Sequence, residues 1–262
     1  MAVINLKPVK EPSARTAEFP HLVMVQSMIP NLITLTAMGA GISSIQHALH
    51  MDWDKAILAM LVATILDTLD GATARLLKAT SDFGAYLDTL SDFLAFGIAP
   101  AVILYIWSLE ASGKIGWIAM LFYISATALR LARFNTEQKD PTVKSAFFTG
   151  VPSPAGAGLA MLPIILWMQE PAFFAQFAAA TPLISLWTVC VAALMISRIP
   201  TFSIKAIRVP AKAVMPVMAV AALVIAALFT APWQTLTVLS GLYIASIPVA
   251  ALQHRKAKKS DE

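Results

Sequence analysis

Four long stretches of this chain contain no aspartate, glutamate, lysine or arginine, and they constrain its fold more than any other feature. They are residues 20–51, 145–169, 171–197 and 213–254. A helix needs about 20 apolar residues to cross the hydrocarbon core of a bilayer. Each stretch is long enough for one span, and the last is long enough for two. The pattern is that of a polytopic membrane protein.

The composition supports the same fold class. Charged residues make up only 13% of the chain, about half the fraction of a typical soluble domain. No strand pattern is visible, so we predict an all-α transmembrane bundle of eight helices. The predicted spans lie near residues 27–50, 54–74, 83–108, 114–134, 150–169, 182–198, 213–230 and 234–252.

The basic residues predict the orientation of the bundle. With eight spans, all of them except Lys55 and Lys114 fall on the side that holds both termini. Because cytoplasmic loops carry excess lysine and arginine, we expect both termini in the cytoplasm and the protein in the cell membrane. A single transmembrane domain over 21–253 would then follow a polar segment, 1–20, and precede a basic tail, 254–262. Anionic lipids or substrates explain the net charge of +4, so we predict no nucleic-acid partner.

Five of the 15 acidic residues fall within one short window, residues 67–92, which covers the end of the second predicted span and the start of the third. Asp67 and Asp70 are three residues apart, and Asp88 and Asp92 are four apart, so each pair shares one helix face. A short turn joins the two helices, which allows the pairs to face each other. A charged side chain deep in a bilayer costs about 2.5–3.5 kcal/mol. Four carboxylates that repel one another therefore indicate a bound cation.

Carboxylate oxygens are the ligands that hard divalent cations prefer, and such a cluster can hold two ions. We therefore predict a Mg²⁺ or Mn²⁺ site, with two ions, near the cytoplasmic boundary of the membrane. Gly71 and Ala74 leave room for a close approach of helices or ligand, and Arg75 is suited to a phosphate. Two alternatives stay open: the aspartates cap helices or pair with Arg75 and Lys78, or they relay ions in a transporter.

The same residues resemble the motif of the CDP-alcohol phosphotransferase family. The match covers the fixed positions of Asp67-x2-Asp70-Gly71-x2-Ala74-Arg75-x8-Gly84-x3-Asp88-x3-Asp92. The resemblance implies a transferase that displaces CMP from a CDP-linked lipid with an alcohol. It implies that Asp67, Asp70 and Asp88 bind metal, that Asp92 is a further ligand and the general base, and that the CDP-lipid contacts are Asn31, Thr34, Gly71, Ala74, Arg75 and Ser81.

Downstream motifs resemble the branch of this family that uses L-serine and CDP-diacylglycerol. They lie at residues 91–101, 128–135, 148–155 and 197–203. The carboxylate of serine needs a cation, and we predict that Arg130, Arg133 and Asn135 bind it, with simple membrane anchoring as the alternative. Ala37 stands where the phosphatidylglycerophosphate synthases carry an arginine, which disfavours that branch. Choline, glycerol phosphate and inositol phosphate remain alternative acceptors, and a homodimer is expected from the family alone.

Overall fold

The computed structural model describes residues 20–138, 147–172, 181–202 and 213–260. Within these ranges the chain is almost entirely helical. The α-helices, numbered in chain order, are α1 (Pro20–Leu49), α2 (Trp53–Leu76), α3 (Asp82–Asp92), α4 (Ala99–Trp107), α5 (Lys114–Gln138), α6 (Ser153–Gln169), α7 (Thr181–Ile196), α8 (Val214–Thr230) and α9 (Pro232–Ser260).

The all-α transmembrane bundle predicted from the sequence is confirmed. Five helical segments are long and apolar enough to cross a membrane, and they include the joined helices α3 and α4. Helices α6, α7 and α8 are apolar but shorter. Each of the eight predicted spans therefore contains a helix. The polar segment 1–20 lies outside the described residues except for Pro20, while the backbone of α9 continues to Ser260, into the predicted basic tail.

The expectation of a chain without strands is wrong in one place. Strand β1 (Phe147–Thr149) pairs antiparallel with β2 (Pro200–Phe202), with Phe148 opposite Thr201. Three-residue strands are too short to give the alternating pattern on which a sequence-based assignment depends. The pairing ties the segment before α6 to the segment after α7.

One turn of π-helix, Phe93–Ile98, joins α3 to α4 and begins directly after Asp92. In a regular helix, the backbone N–H of residue 100 would bond to the carbonyl of Phe96. Pro100 has no N–H, and the hydroxyl of Tyr123 on α5 donates to that carbonyl instead, at 3.0 Å. A neighbouring helix thus supplies a donor to a buried carbonyl at the interruption, as membrane interiors require.

The buried core lies between α4, α5, α6 and α7, where the side chains of Ile103, Leu104, Ile164 and Met195 are fully or almost fully buried. Helix α1 packs along α2 and also contacts α3, the π-helical turn and α4. A Cβ atom on Gly41 would lie 3.2 Å from the Cα of Ala95, so this glycine lets α1 approach the turn closely. The packing holds α1, α2 and α3 together on one side of the core.

Candidate active site

The turn between α2 and α3 has well-defined caps at both helix ends. Lys78 adopts a left-handed backbone conformation with φ of 52°. The N–H of Ala79 bonds to the carbonyl of Ala74, and that of Lys78 to the carbonyl of Arg75, which is the Schellman arrangement of a helix C-terminus. The hydroxyl of Ser81 accepts from the N–H of Gly84 and caps α3. These caps fix the two helices beside each other.

The turn brings three of the four predicted metal ligands together. Ligand oxygens of Asp67, Asp70 and Asp88 all lie within 4.8 Å of one another. Asp70 is buried, Asp67 is half-buried and Asp88 is exposed. The helical spacing explains this arrangement, because each aspartate pair occupies one face of its helix.

Asp92, the fourth predicted ligand, is half-buried like Asp67, and its carboxyl group is within hydrogen-bonding range of that of Asp67. Oδ2 of Asp70 and Oδ1 of Asp92 are buried without a hydrogen-bond partner among the described residues. Buried oxygens of this kind are costly unless a cation or a donor satisfies them. The donor set of clustered carboxylate oxygens therefore fits a hard divalent cation.

A cavity of about 320 Å³ opens beside the acidic cluster. Every residue predicted to contact the CDP-lipid lines it, together with Asp70 and Asp88. These residues lie on α1, on α2 and at the cap that precedes α3. They are Asn31, Thr34, Gly71, Ala74, Arg75 and Ser81. The structure thus brings residues that are far apart in the sequence to one cavity next to the carboxylates.

Helix α1 closes one wall of the site through polar contacts. The Thr34 hydroxyl donates to the carbonyl of Pro30 at 3.0 Å and lies beside the carboxylate of Asp70. The buried hydroxyl of Ser91 donates to the carbonyl of Thr34 at 3.2 Å, which ties α3 to α1 next to Asp92. A Cβ atom on Gly84 would lie 3.1 Å from Oδ1 of Asn31, so α1 and α3 meet closely there.

The guanidinium group of Arg75 lies at the exposed edge of the cavity. Its Nε donates to the carbonyl of Gly71 at 2.9 Å, one turn earlier in α2. This contact holds the side chain along the helix. In this position the positively charged guanidinium group is suited to bind a phosphate group that enters the cavity from the membrane surface.

The three predicted acceptor residues occupy different surroundings. Arg130 is only 8% exposed, donates to the carbonyl of Val151 and the hydroxyl of Ser153, and interacts electrostatically with Asp92. Arg133 donates to the carbonyls of Ile196 and Ser197.

Asn135 donates to the hydroxyl of Thr89 at 3.0 Å. Arg130 interacts electrostatically with Asp92, Arg133 is engaged with the end of α7, and Asn135 contacts the residue that follows Asp88. None of the three lines the cavity.

Sequence reasoning missed some residues of this region. Phe134 lines the cavity, and its ring lies 5.9 Å from the Arg130 guanidinium. Its position between Arg133 and Asn135, in a motif that was already singled out, was an available signal. Tyr243 on α9 approaches Arg130, and no local pattern in the sequence indicates that contact.

Comparison with known proteins assigns the chain to a family. Residues 27–187 match the family model described as CDP-alcohol phosphatidyltransferase, and residues 212–248 match a second model, CDP-alcohol phosphatidyltransferase 2. The chain therefore belongs to the CDP-alcohol phosphatidyltransferase family, a class of enzymes, and the transferase interpretation is favoured over the transporter. The second match covers α8 and part of α9, where the sequence analysis found no motif.

The most similar relatives include proteins from several bacteria, each named CDP-diacylglycerol–serine O-phosphatidyltransferase. The protein from Mycobacterium leprae is 36% identical over 231 residues, covering 87% of this chain and 76% of the relative. The Helicobacter pylori protein is 33% identical over 83% of this chain and 88% of its own length. The Bacillus subtilis protein is 37% identical over 53% of this chain and 79% of its own length.

Proposed function

We propose that this enzyme transfers the phosphatidyl group of CDP-diacylglycerol to the hydroxyl of L-serine, giving phosphatidylserine and CMP. The observation that carries the proposal is the cavity beside Asp70 and Asp88, which is lined by all the residues predicted to hold the CDP-lipid. The names of the relatives support serine as the acceptor. The reaction takes place in a multi-pass membrane protein, and we propose the cell membrane, with the site facing the cytoplasm.

The donor would lie in the cavity with its pyrophosphate toward the carboxylates. Arg75, at the cavity edge, would contact a phosphate oxygen, and the small residues Gly71 and Ala74 would let the nucleotide approach α2. Ser81, at the cap of α3, would contact the CDP part as well. Asn31 and Thr34 on α1 would form the entrance wall.

Asp67, Asp70 and Asp88, with Asp92 as a further ligand, would hold Mg²⁺ or Mn²⁺, and two ions fit the number of carboxylates. When bound, the cations supply charge neutralisation on the pyrophosphate and on the departing phosphate. The two buried, unpartnered oxygens of Asp70 and Asp92 support this assignment.

The proposed step is one displacement at phosphorus. The serine hydroxyl oxygen forms a bond to the phosphorus that carries the diacylglycerol, and the bond from that phosphorus to the CMP oxygen breaks. CMP leaves with the electron pair. Asp92 would accept the hydroxyl proton, for which it must lie within hydrogen-bond reach of the acceptor. Asp92 is half-buried and adjoins Asp67, which supports a role at the edge of the proposed metal site.

The choice of serine over other alcohols depends on recognition of its carboxylate. Arg130 is the predicted acceptor residue that interacts with Asp92, so an acceptor bound beside Asp92 would meet this cation. An acceptor such as choline carries no carboxylate and would gain nothing from a buried arginine. Ala37 on α1 is buried and uncharged, which offers no cation for the phosphate of glycerol phosphate.

The test is CMP release by the purified enzyme in detergent micelles that contain CDP-diacylglycerol and Mn²⁺ or Mg²⁺. We expect release that depends on L-serine, formation of phosphatidylserine, and loss of both on addition of a chelator. Glycerol 3-phosphate, choline and inositol phosphate serve as parallel acceptors. Release with one of these and none with serine would overturn the acceptor, and full activity in excess chelator would overturn the metal.

A further inference from the structure

Among the described residues, three buried side-chain oxygens have no hydrogen-bond partner: Oδ2 of Asp70, Oδ1 of Asp92 and the hydroxyl of Tyr243. The first two belong to the acidic cluster. Tyr243 belongs to α9, in the part of the chain that the second family model matches. Buried polar groups are almost always paired in native proteins, so an exception requires an explanation. Tyr243 therefore shares with these two aspartates a buried oxygen that has no partner among the described residues.

The surroundings of Tyr243 connect it to the candidate active site. Helix α9 packs against β2 and α6, and this packing brings Tyr243 close to Thr201 and Arg130. The Thr201 hydroxyl donates its hydrogen to the carbonyl of Gly150 at 2.8 Å. Although Tyr243 approaches Thr201, it forms no hydrogen bond of acceptable geometry with the described residues.

Arg130 links Tyr243 to the acidic cluster. Its Nε and Nη1 donate to Val151 and Ser153, and these bonds fix the guanidinium plane. The same guanidinium interacts electrostatically with both Asp92 and Tyr243. Asp92, Arg130 and Tyr243 therefore form a polar series that runs from the proposed general base to the last helix.

We propose that the Tyr243 hydroxyl contacts the acceptor amino acid in a subsite that it forms with Arg130. A phenol both donates and accepts hydrogen bonds, so it can pair with a carboxylate oxygen or an ammonium group. The neighbouring arginine favours the carboxylate end of such a molecule. The proposal rests on the proposed function, because it assigns to Tyr243 a part in choosing the acceptor of that reaction.

The test is Tyr243→Phe, which removes the hydroxyl and keeps the ring. We expect the KM for L-serine to rise about two- to tenfold, the effect of losing one hydrogen bond. The KM for CDP-diacylglycerol should stay unchanged. The matched control is Tyr105→Phe on α4, whose ring packs against Trp117 with centroids 5.5 Å apart. This control should leave both KM values unchanged.

The opposite results would overturn the proposal. If Tyr243 has only a structural role, Tyr243→Phe will leave the serine KM unchanged, or will raise both KM values together with a lower unfolding temperature. A wild-type enzyme that uses another alcohol and not serine would contradict the proposed function instead. The same pair of variants, measured with that alcohol, then decides whether Tyr243 contacts the acceptor.

Discussion

At the scale of single residues, the position of each aspartate relative to the acidic cluster distinguishes the proposed metal ligands and base from Asp82, which has no proposed role. Asp67, Asp70 and Asp88 have ligand oxygens within 4.8 Å of one another, and Asp92 adjoins Asp67. Asp82 belongs to the same short window of sequence, but it lies exposed in the first turn of α3 and outside this group. Asp82 therefore offers a matched control for every substitution in the cluster.

Asp92→Asn should lower the rate of CMP release by about 10²–10⁴-fold, because an amide cannot accept the proton of the attacking hydroxyl. Asp70→Asn and Asp88→Asn should also reduce the rate strongly, since each removes an anionic ligand. Asp82→Asn should retain most of the activity. The measurement is the initial rate at saturating serine and CDP-diacylglycerol, and full turnover by Asp92→Asn would remove its role as base.

Helical periodicity is the reason that the acidic cluster could be predicted from sequence. Spacings of three and four residues determine which side chains share a face, and a short turn determines which helices are neighbours. The surroundings of Arg130 could not be predicted in this way. Its partners, Val151 and Ser153, belong to the next span, and the contact with Tyr243 depends on how α9 packs.

At the scale of elements, the π-helical turn Phe93–Ile98 is an irregular feature that begins directly after Asp92. Gly97 and Pro100 in the sequence indicate that the helix is interrupted, but they do not specify which type of turn results. The type depends on tertiary contacts, because Tyr123 from α5 supplies the donor for the carbonyl of Phe96. The short strands escaped prediction for a related reason, since their pairing joins segments that are distant in the chain.

Tyr123→Phe should destabilise the protein by about 1–3 kcal/mol, because it leaves a buried carbonyl without a donor. The measurement is the midpoint of thermal unfolding in detergent. Pro100→Ala provides the matched background, since its new N–H can reach the carbonyl of Phe96. The cost of Tyr123→Phe should be smaller in that background, and an equal cost in both would contradict the assigned hydrogen bond.

At the scale of the whole molecule, the eight predicted spans would place both ends of the chain on the same side of the membrane. Each predicted span contains a helix, and five helical segments are long and apolar enough to cross a membrane, because length and hydropathy determine spans almost independently of tertiary structure. The side on which the site opens is a separate matter, and it depends on where the basic residues lie. Lys55 and Lys114 are exposed at one set of helix ends, and Lys78 and Arg198 are exposed at the other.

Single cysteines in a Cys190→Ser background test the orientation. Lys55→Cys and Lys114→Cys should react with a membrane-impermeant maleimide added outside intact cells. Lys78→Cys and Arg198→Cys should react only after the membrane is made permeable. The reverse pattern would turn the acidic cluster to the outside and contradict the proposed cytoplasmic site.

The pairing of β1 with β2 constrains the order in which parts of this enzyme can fold during synthesis. Thr201 donates a hydrogen bond to the carbonyl of Gly150, 51 positions earlier in the chain. Arg133 donates to the carbonyl of Ile196, 63 positions later. A nascent chain emerging from the ribosome would thus insert its aspartates long before the carbonyl groups that steady Arg133 exist. Any truncation ahead of Phe202 should therefore yield a protein that reaches the bilayer but lacks the complete β1–β2 pairing.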